Sequence, residues 1–133
     1  MNVLEKITDW AIANGGDRCF VGWPRETVRQ YIAFHAQHNT LAIVHEDGEP
    51  VALGTAMQCN AEDIGERWDW RPTNPNGQFV VILDVVSTKP GAFALLALKM
   101  FEIWPPGRVK KIFALRPSGP REITPRYLKL AAA

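Results

Sequence analysis

The chain has 133 residues, is 47% hydrophobic and 22% charged, and carries a formal net charge of +1. That length suits one domain with a single core, and the near-neutral balance argues against nucleic acid as a partner on bulk electrostatic grounds. No apolar run reaches the ~18 residues of a membrane helix, and Glu5, Lys6 and Asp9 break up the N-terminal apolar residues, so no signal peptide is read there and a cytoplasmic location is expected.

Val3, Leu4, Ile7, Trp10 and Ala11 recur at helical spacing, which predicts a helix over 2–14 stopped by Asn14-Gly15-Gly16. Cys19 and Cys59 have no Cys or His at metal-ligand spacing and are expected to be free thiols in a reducing compartment. Pro24 suits the first turn of a second helix, with Val28, Tyr31, Ile32 and His35 on one side and an end near Asn39. Thr40–His45 and Pro50–Cys59 read as a hairpin around Asp47-Gly48, a pair that tolerates positive φ. Residues 60–77 are polar, with two Pro, two Gly and three Asn, and predict a long loop. Gln78–Ser87 is an apolar, β-branched run, as in a strand buried on both faces. Gly91–Trp104 reads as a buried helix, Val109–Leu115 as a last strand, and the tail from Arg116, with Pro117, Pro120 and Pro125, as extended and irregular. Lys129–Ala133 has the look of an expression-vector remnant, so the domain is expected to span 1–128.

This order of elements resembles the Gcn5-related N-acetyltransferase (GNAT) fold in a small, degenerate form. The resemblance is carried by LAIVHEDGEPVALGTAMQ (41–58), by FVVILDVVSTKPGAFALLALKMF (79–101) and by VKKIFAL (109–115). It implies an α/β (α+β) chain with a mixed, mostly antiparallel sheet flanked by helices. It also implies acetyl-CoA or another acyl thioester as cofactor. The family's cofactor loop reads Q/R-x-x-G-x-G/A, whereas this chain has Ser87-Thr88-Lys89-Pro90-Gly91-Ala92, with one Gly. The chain is also similar in parts to the toxin-activating lysine acyltransferases, which draw on acyl carrier protein. Asp84 lies where their catalytic Asp would. Their His precedes an N-W-P stretch, and the corresponding Val21-Gly22-Trp23-Pro24 has none. Small phage and prophage proteins of this fold, with no assigned activity, are a further resemblance.

Two functions stay open. One is an N-acyltransferase in which Asp84, with a raised pKa, accepts a proton from an amine. Val85, Val86 and Ser87 would hold the pantetheine arm, and Lys89 with the Gly91 and Ala92 N–H groups would bind phosphate at a helix start. Tyr127 would act as general acid, as the resemblance implies. The other is a non-catalytic protein, of the virion or a prophage, that binds a virion or host partner through Arg67, Trp68, Trp70 and Arg71. The blander readings are an Asp84 accepting local backbone N–H bonds, an ordinary helix entry at Lys89, and loop tryptophans folded onto the core. His35, His38 and His45 lack a ligand pattern, so no metal is expected, and they read as solvated or capping residues. Arg108, Lys110, Lys111, Arg116, Arg121 and Arg126 make the last quarter basic, which suits either a solvated face or a phosphate-rich partner.

Overall fold

The computed structural model describes residues 2–16, 19–64, 74, 76–89, 91–105, 107–116 and 119–123. The loop cluster Arg67, Trp68, Trp70 and Arg71, the proposed acid Tyr127, and residues 129–133 lie outside the described residues.

Helix α1 (Val3–Asn14) starts at Asn2, whose side chain accepts the Leu4 N–H at 2.7 Å and so satisfies one of the helix's orphan donors. Helix α2 (Arg25–Gln37) follows Pro24 as its N-cap, and the Pro24 carbonyl accepts the N–H groups of Thr27 and Val28. Glu5 ties the two helices together. Its carboxylate accepts from both Arg25 and Arg29, and Arg25 Nε also reaches Asp9 at 2.8 Å. Hydrogen bonds from Arg29 and then Arg25 hold the Glu5 carboxyl below its ordinary range.

Five strands form one sheet in the order β1-β2-β3-β4-β5. Strands β1 (Leu41–Glu46) and β2 (Glu49–Cys59) are the predicted hairpin. Asp47 and Gly48 take φ of 52° and 79°, the two positive values that match the right-handed twist of the strands they join. Strand β3 (Phe79–Ser87) pairs antiparallel with β2 and parallel with β4 (Lys111–Arg116), and helix α3 (Ala92–Ile103) is the crossover between them. Five consecutive residues of β3, Val80–Asp84, are buried, as the apolar run predicts for its Val, Ile and Leu members, and the burial takes in Asp84 as well.

The tail differs from its predicted irregularity. Gly119–Ile123 forms β5, antiparallel to β4. Pro120 lies opposite Leu115, and among the described residues no strand pairs with the other edge of β5, the kind of edge position where proline is tolerated; Gly119, at the start of the strand, has φ of 112°. Residues beyond Ile123 lie outside the described set.

Helix α3 packs on one face of the sheet, over Ala42, Val44, Ala52, Ala56, Val80 and Ile82. At Gly54 a Cβ would stand 2.8 Å from Met100 Cε and 2.9 Å from Leu96 Cδ2, so the absent side chain lets α3 approach β2 closely. Helices α1 and α2 cover the other face, where Ile7, Ala11, Val28 and Ile32 meet Leu53 and Val86. Below them, Met57, Val81 and Leu83 pack with Ile64, Phe79 and Phe113.

Candidate active site

The parallel pairing of β3 with β4 runs only from Phe79–Ile82 against Lys111–Ala114. Beyond it, Leu115 and Arg116 pair with β5, and the rest of β3 pairs with β2. The two central strands part after Ile82. Among the described residues, no strand pairs with the β4-facing edge of β3 over 83–87.

Asp84 sits at this parting, and a bulge decides which way it faces. Val80 and Ile82 lie under α3. Strict alternation would put Asp84 on that same face. Thr55 instead pairs with Asp84 while Ala56 pairs with Ile82, which leaves Leu83 as an extra residue in β3. The bulge moves Asp84 to the face under α2. There it is buried, at 7% exposure, beside the fully buried Tyr31 and Thr55. The Tyr31 hydroxyl donates to Asp84 Oδ2 at 2.7 Å and lies 3.0 Å from Thr55 Oγ1, and the Asp84 N–H donates to Thr55 Oγ1 at 3.2 Å.

Aromatic rings enclose Tyr31. Phe20 and Trp23 meet it edge-on at centroid distances of 5.8 and 5.4 Å, and His35 at 4.6 Å. Phe20 and Trp23 also contact each other at 5.4 Å. They stand on the turn after Cys19, where the Trp23 N–H bonds the Phe20 carbonyl at 3.1 Å and Phe20 takes φ of 64°. That left-handed conformation is uncommon for a bulky residue.

The expected cofactor residues are placed as follows. The Val85 carbonyl accepts the Cys19 thiol at 3.5 Å, Val86 is buried under α1 and α2, and Ser87 is exposed with its hydroxyl on the Lys89 carbonyl at 3.2 Å. Lys89 forms an ion pair with Glu46 of the hairpin. Gly91 caps α3 with φ of 82°, and the Ala92 N–H is taken up by the Lys89 carbonyl at 3.2 Å. The turn therefore has a helix N-terminus and a cation, with that cation and one of the two expected donors already partnered within the chain.

His35 is a correction. It is 1% exposed rather than solvated, with Nδ1 2.7 Å from Thr40 Oγ1, because α2 turns this position onto the sheet. His38 is the C-cap of α2. Among the described residues no group of three or more His, Cys, Asp or Glu could hold a metal ion, and no helix is long and apolar enough to cross a membrane. Of the basic set at the end of the chain, Arg126 and the side chain of Arg116 lie outside the described residues, and the other members have separate surroundings. Arg108 donates to the Ile103 carbonyl at 2.7 Å, Lys111 lies 3.6 Å from Glu122, and Lys110 and Arg121 are exposed. Two surface recesses lie away from Asp84, one of about 450 Å³ beside Thr40, Gln58, Trp104 and Arg108, the other of about 180 Å³ between Trp104 and β5. Neither is lined by Asp84 or by the strand–helix turn. The carboxylate's burial at the strand parting, not cavity size, marks the site.

The helical spacing predicts Tyr31 on the buried side of α2 without a polar role, and nothing in the sequence marks Thr55. A signal was present for Tyr31, because a phenol turned into a core needs a partner for its hydroxyl.

No family model matches the chain, and no curated protein matches it. Solved structures do. The GNAT-like decarboxylase GphF, in complex with isobutyryl-CoA, superposes with a TM-score of 0.54 at 11% identity, covering 83% of this chain and 61% of that one. The loading GNATL domain of CurA from Lyngbya majuscula superposes with a TM-score of 0.59 at 14% identity, covering 84% of this chain and 60% of that one. This chain has a GNAT-like α+β fold. It spans about three-fifths of the length of each of these structures.

Proposed function

We propose that the protein binds an acyl thioester of coenzyme A and transfers the acyl group to an amine, with Asp84 as the proton acceptor. The observation that carries this reading is the buried carboxylate delivered by a bulge to the parting of the two central strands. It is supported by the fold, one of whose solved examples is described in complex with isobutyryl-CoA. In the reaction, the amine nitrogen attacks the thioester carbonyl and an N–C bond forms. Asp84 takes the proton released from the nitrogen, directly or through one water. The C–S bond then breaks, and the coenzyme A thiolate leaves and is protonated. The β4-facing edge of β3 over Val85–Ser87 would lie along the pantetheine arm, and Lys89 with the start of α3 would meet phosphate once the Glu46 ion pair opens.

Thermal unfolding with coenzyme A, acetyl-CoA and isobutyryl-CoA tests this reading. A ligand at a hundredfold excess over its Kd stabilises the native state by about 2.7 kcal/mol. The expected result is a rise in Tm with all three that is lost in Lys89→Glu. Asp84→Asn is expected to keep the rise and lose the transfer.

One observation favours a second reading, a non-catalytic binding or structural protein such as a phage component. At the strand–helix turn, Lys89 and the Ala92 N–H are already engaged by Glu46 and by the Lys89 carbonyl. No Tm shift with any of the three ligands at millimolar concentration would select it.

A further inference from the structure

We propose that Tyr31, itself aimed by Thr55, is a positioning residue for the carboxylate of Asp84. This rests on the reading of Asp84 as the proton acceptor. The proton directions follow from counting donors. The phenol has one proton, and it goes to Asp84 Oδ2 at 2.7 Å. The 3.0 Å contact between the two hydroxyls must then carry the Thr55 proton to the Tyr31 oxygen. Thr55 Oγ1 in turn accepts the N–H of Asp84 at 3.2 Å. The hydrogen bonds form a closed ring that leaves Asp84 at its backbone, passes through Thr55 and Tyr31, and returns to its own carboxylate. Every proton in the ring points the same way round, so each bond polarises the next.

Three elements contribute one member each: β2, α2 and β3. The ring closes only because the Leu83 bulge puts Asp84 opposite Thr55. The edge contacts from Phe20, Trp23 and His35 leave the Tyr31 ring little freedom to swing. The hydroxyl is thus a fixed donor, and it anchors Oδ2 so that the carboxylate has one orientation toward an incoming amine. A base held this way gains rate through orientation rather than through added binding.

The experiment compares wild type, Tyr31→Phe, Thr55→Val, Thr55→Ser and Asp84→Asn. Acetyl-CoA and isobutyryl-CoA serve as donors and n-butylamine as acceptor, and release of the coenzyme A thiol is followed. Circular dichroism and thermal unfolding establish that each variant is folded. Tyr31→Phe and Thr55→Val are expected to lower kcat on the order of 10- to 100-fold with KM for the thioester nearly unchanged. Thr55→Ser, which restores the hydroxyl, is expected to recover most of that loss. Tyr31→Phe combined with Thr55→Val is expected to be no worse than either single variant, since both open the same ring. A folded Tyr31→Phe with wild-type kcat, alongside an inactive Asp84→Asn, overturns the positioning role and leaves the Asp84 reading intact. Wild-type turnover by Asp84→Asn, or no turnover by the wild type itself, overturns the Asp84 reading and this inference with it. Should Tyr31→Phe fail to fold, the Thr55→Val and Thr55→Ser pair decides: equal kcat in the two overturns the ring.

Discussion

Tyr31 on α2 donates its phenolic proton to Asp84 on β3 across 2.7 Å and 53 residues of sequence. The bond is buried at both ends, so its loss should register in stability as well as in chemistry. Tyr31→Phe leaves a buried carboxylate short of one donor, and a cost of about 1–3 kcal/mol is expected in urea unfolding. Replacing both ends, as in Tyr31→Phe with Asp84→Leu, removes the buried carboxylate along with this donor. The double variant should therefore be more stable than the sum of the two single costs implies.

The two-residue turn of the hairpin gives a test that involves no contact at all. Gly48 has φ of 79°, and a Cβ built there meets nothing within 4 Å. Gly48→Ala should still cost about 1–2 kcal/mol, because an L side chain resists this conformation. A variant as stable as wild type in urea would mean that the turn relaxes out of the left-handed region.

Gly77 and Gly54 offer a contrast between backbone and side-chain crowding. A Cβ at Gly77 would stand 2.6–2.7 Å from the Cys59 backbone, which is held in β2. At Gly54 it would meet the ends of Met100 and Leu96, which can shift rotamer. Gly77→Ala is expected to cost about 1–3 kcal/mol, as overpacking does. Gly54→Ala should cost less, and thermal unfolding of the two variants side by side checks the order.

Glu5 sets a pH dependence. Its folded pKa lies below the unfolded value, chiefly through Arg29 and then Arg25. The stability it contributes is therefore present above the ordinary carboxylate range and is lost as pH falls through the lowered folded value. Glu5→Gln should unfold more easily than wild type at pH 7, and the two should converge as the solution is made more acid than the Glu5 pKa. Added salt should narrow the gap at pH 7, because the groups are partly exposed.

The hairpin could be read directly because Asp47-Gly48 carries its own turn chemistry, and turn geometry depends on adjacent residues. The burial of β3 on both faces was written in its apolar run around Asp84, whereas α3, expected to be buried because its segment is apolar nearly all round, buries one face on the sheet and leaves Leu95 and Leu98 exposed. Strand β5 was not legible, because Pro120 signals an irregular segment unless one knows that it pairs with Leu115 in the last of the described strands. Asp84 stood out as a charge among Val, Ile and Leu, whereas its partners did not. Tyr31 looked like one more core aromatic on α2, and Thr55 like an ordinary strand residue.

By itself the sequence determined the order of helices and strands as far as β4, the turn that closes the hairpin, and the unusual carboxylate in the central strand, since each depends on residues close together in the chain. The tertiary structure alone decided which face that carboxylate takes and what holds it. The Leu83 bulge is a property of the register between β2 and β3, and a shift of one residue there reverses the facing of a side chain. The Tyr31 hydroxyl reaches Asp84 only because α2 lies across the sheet on the face to which the bulge turns it.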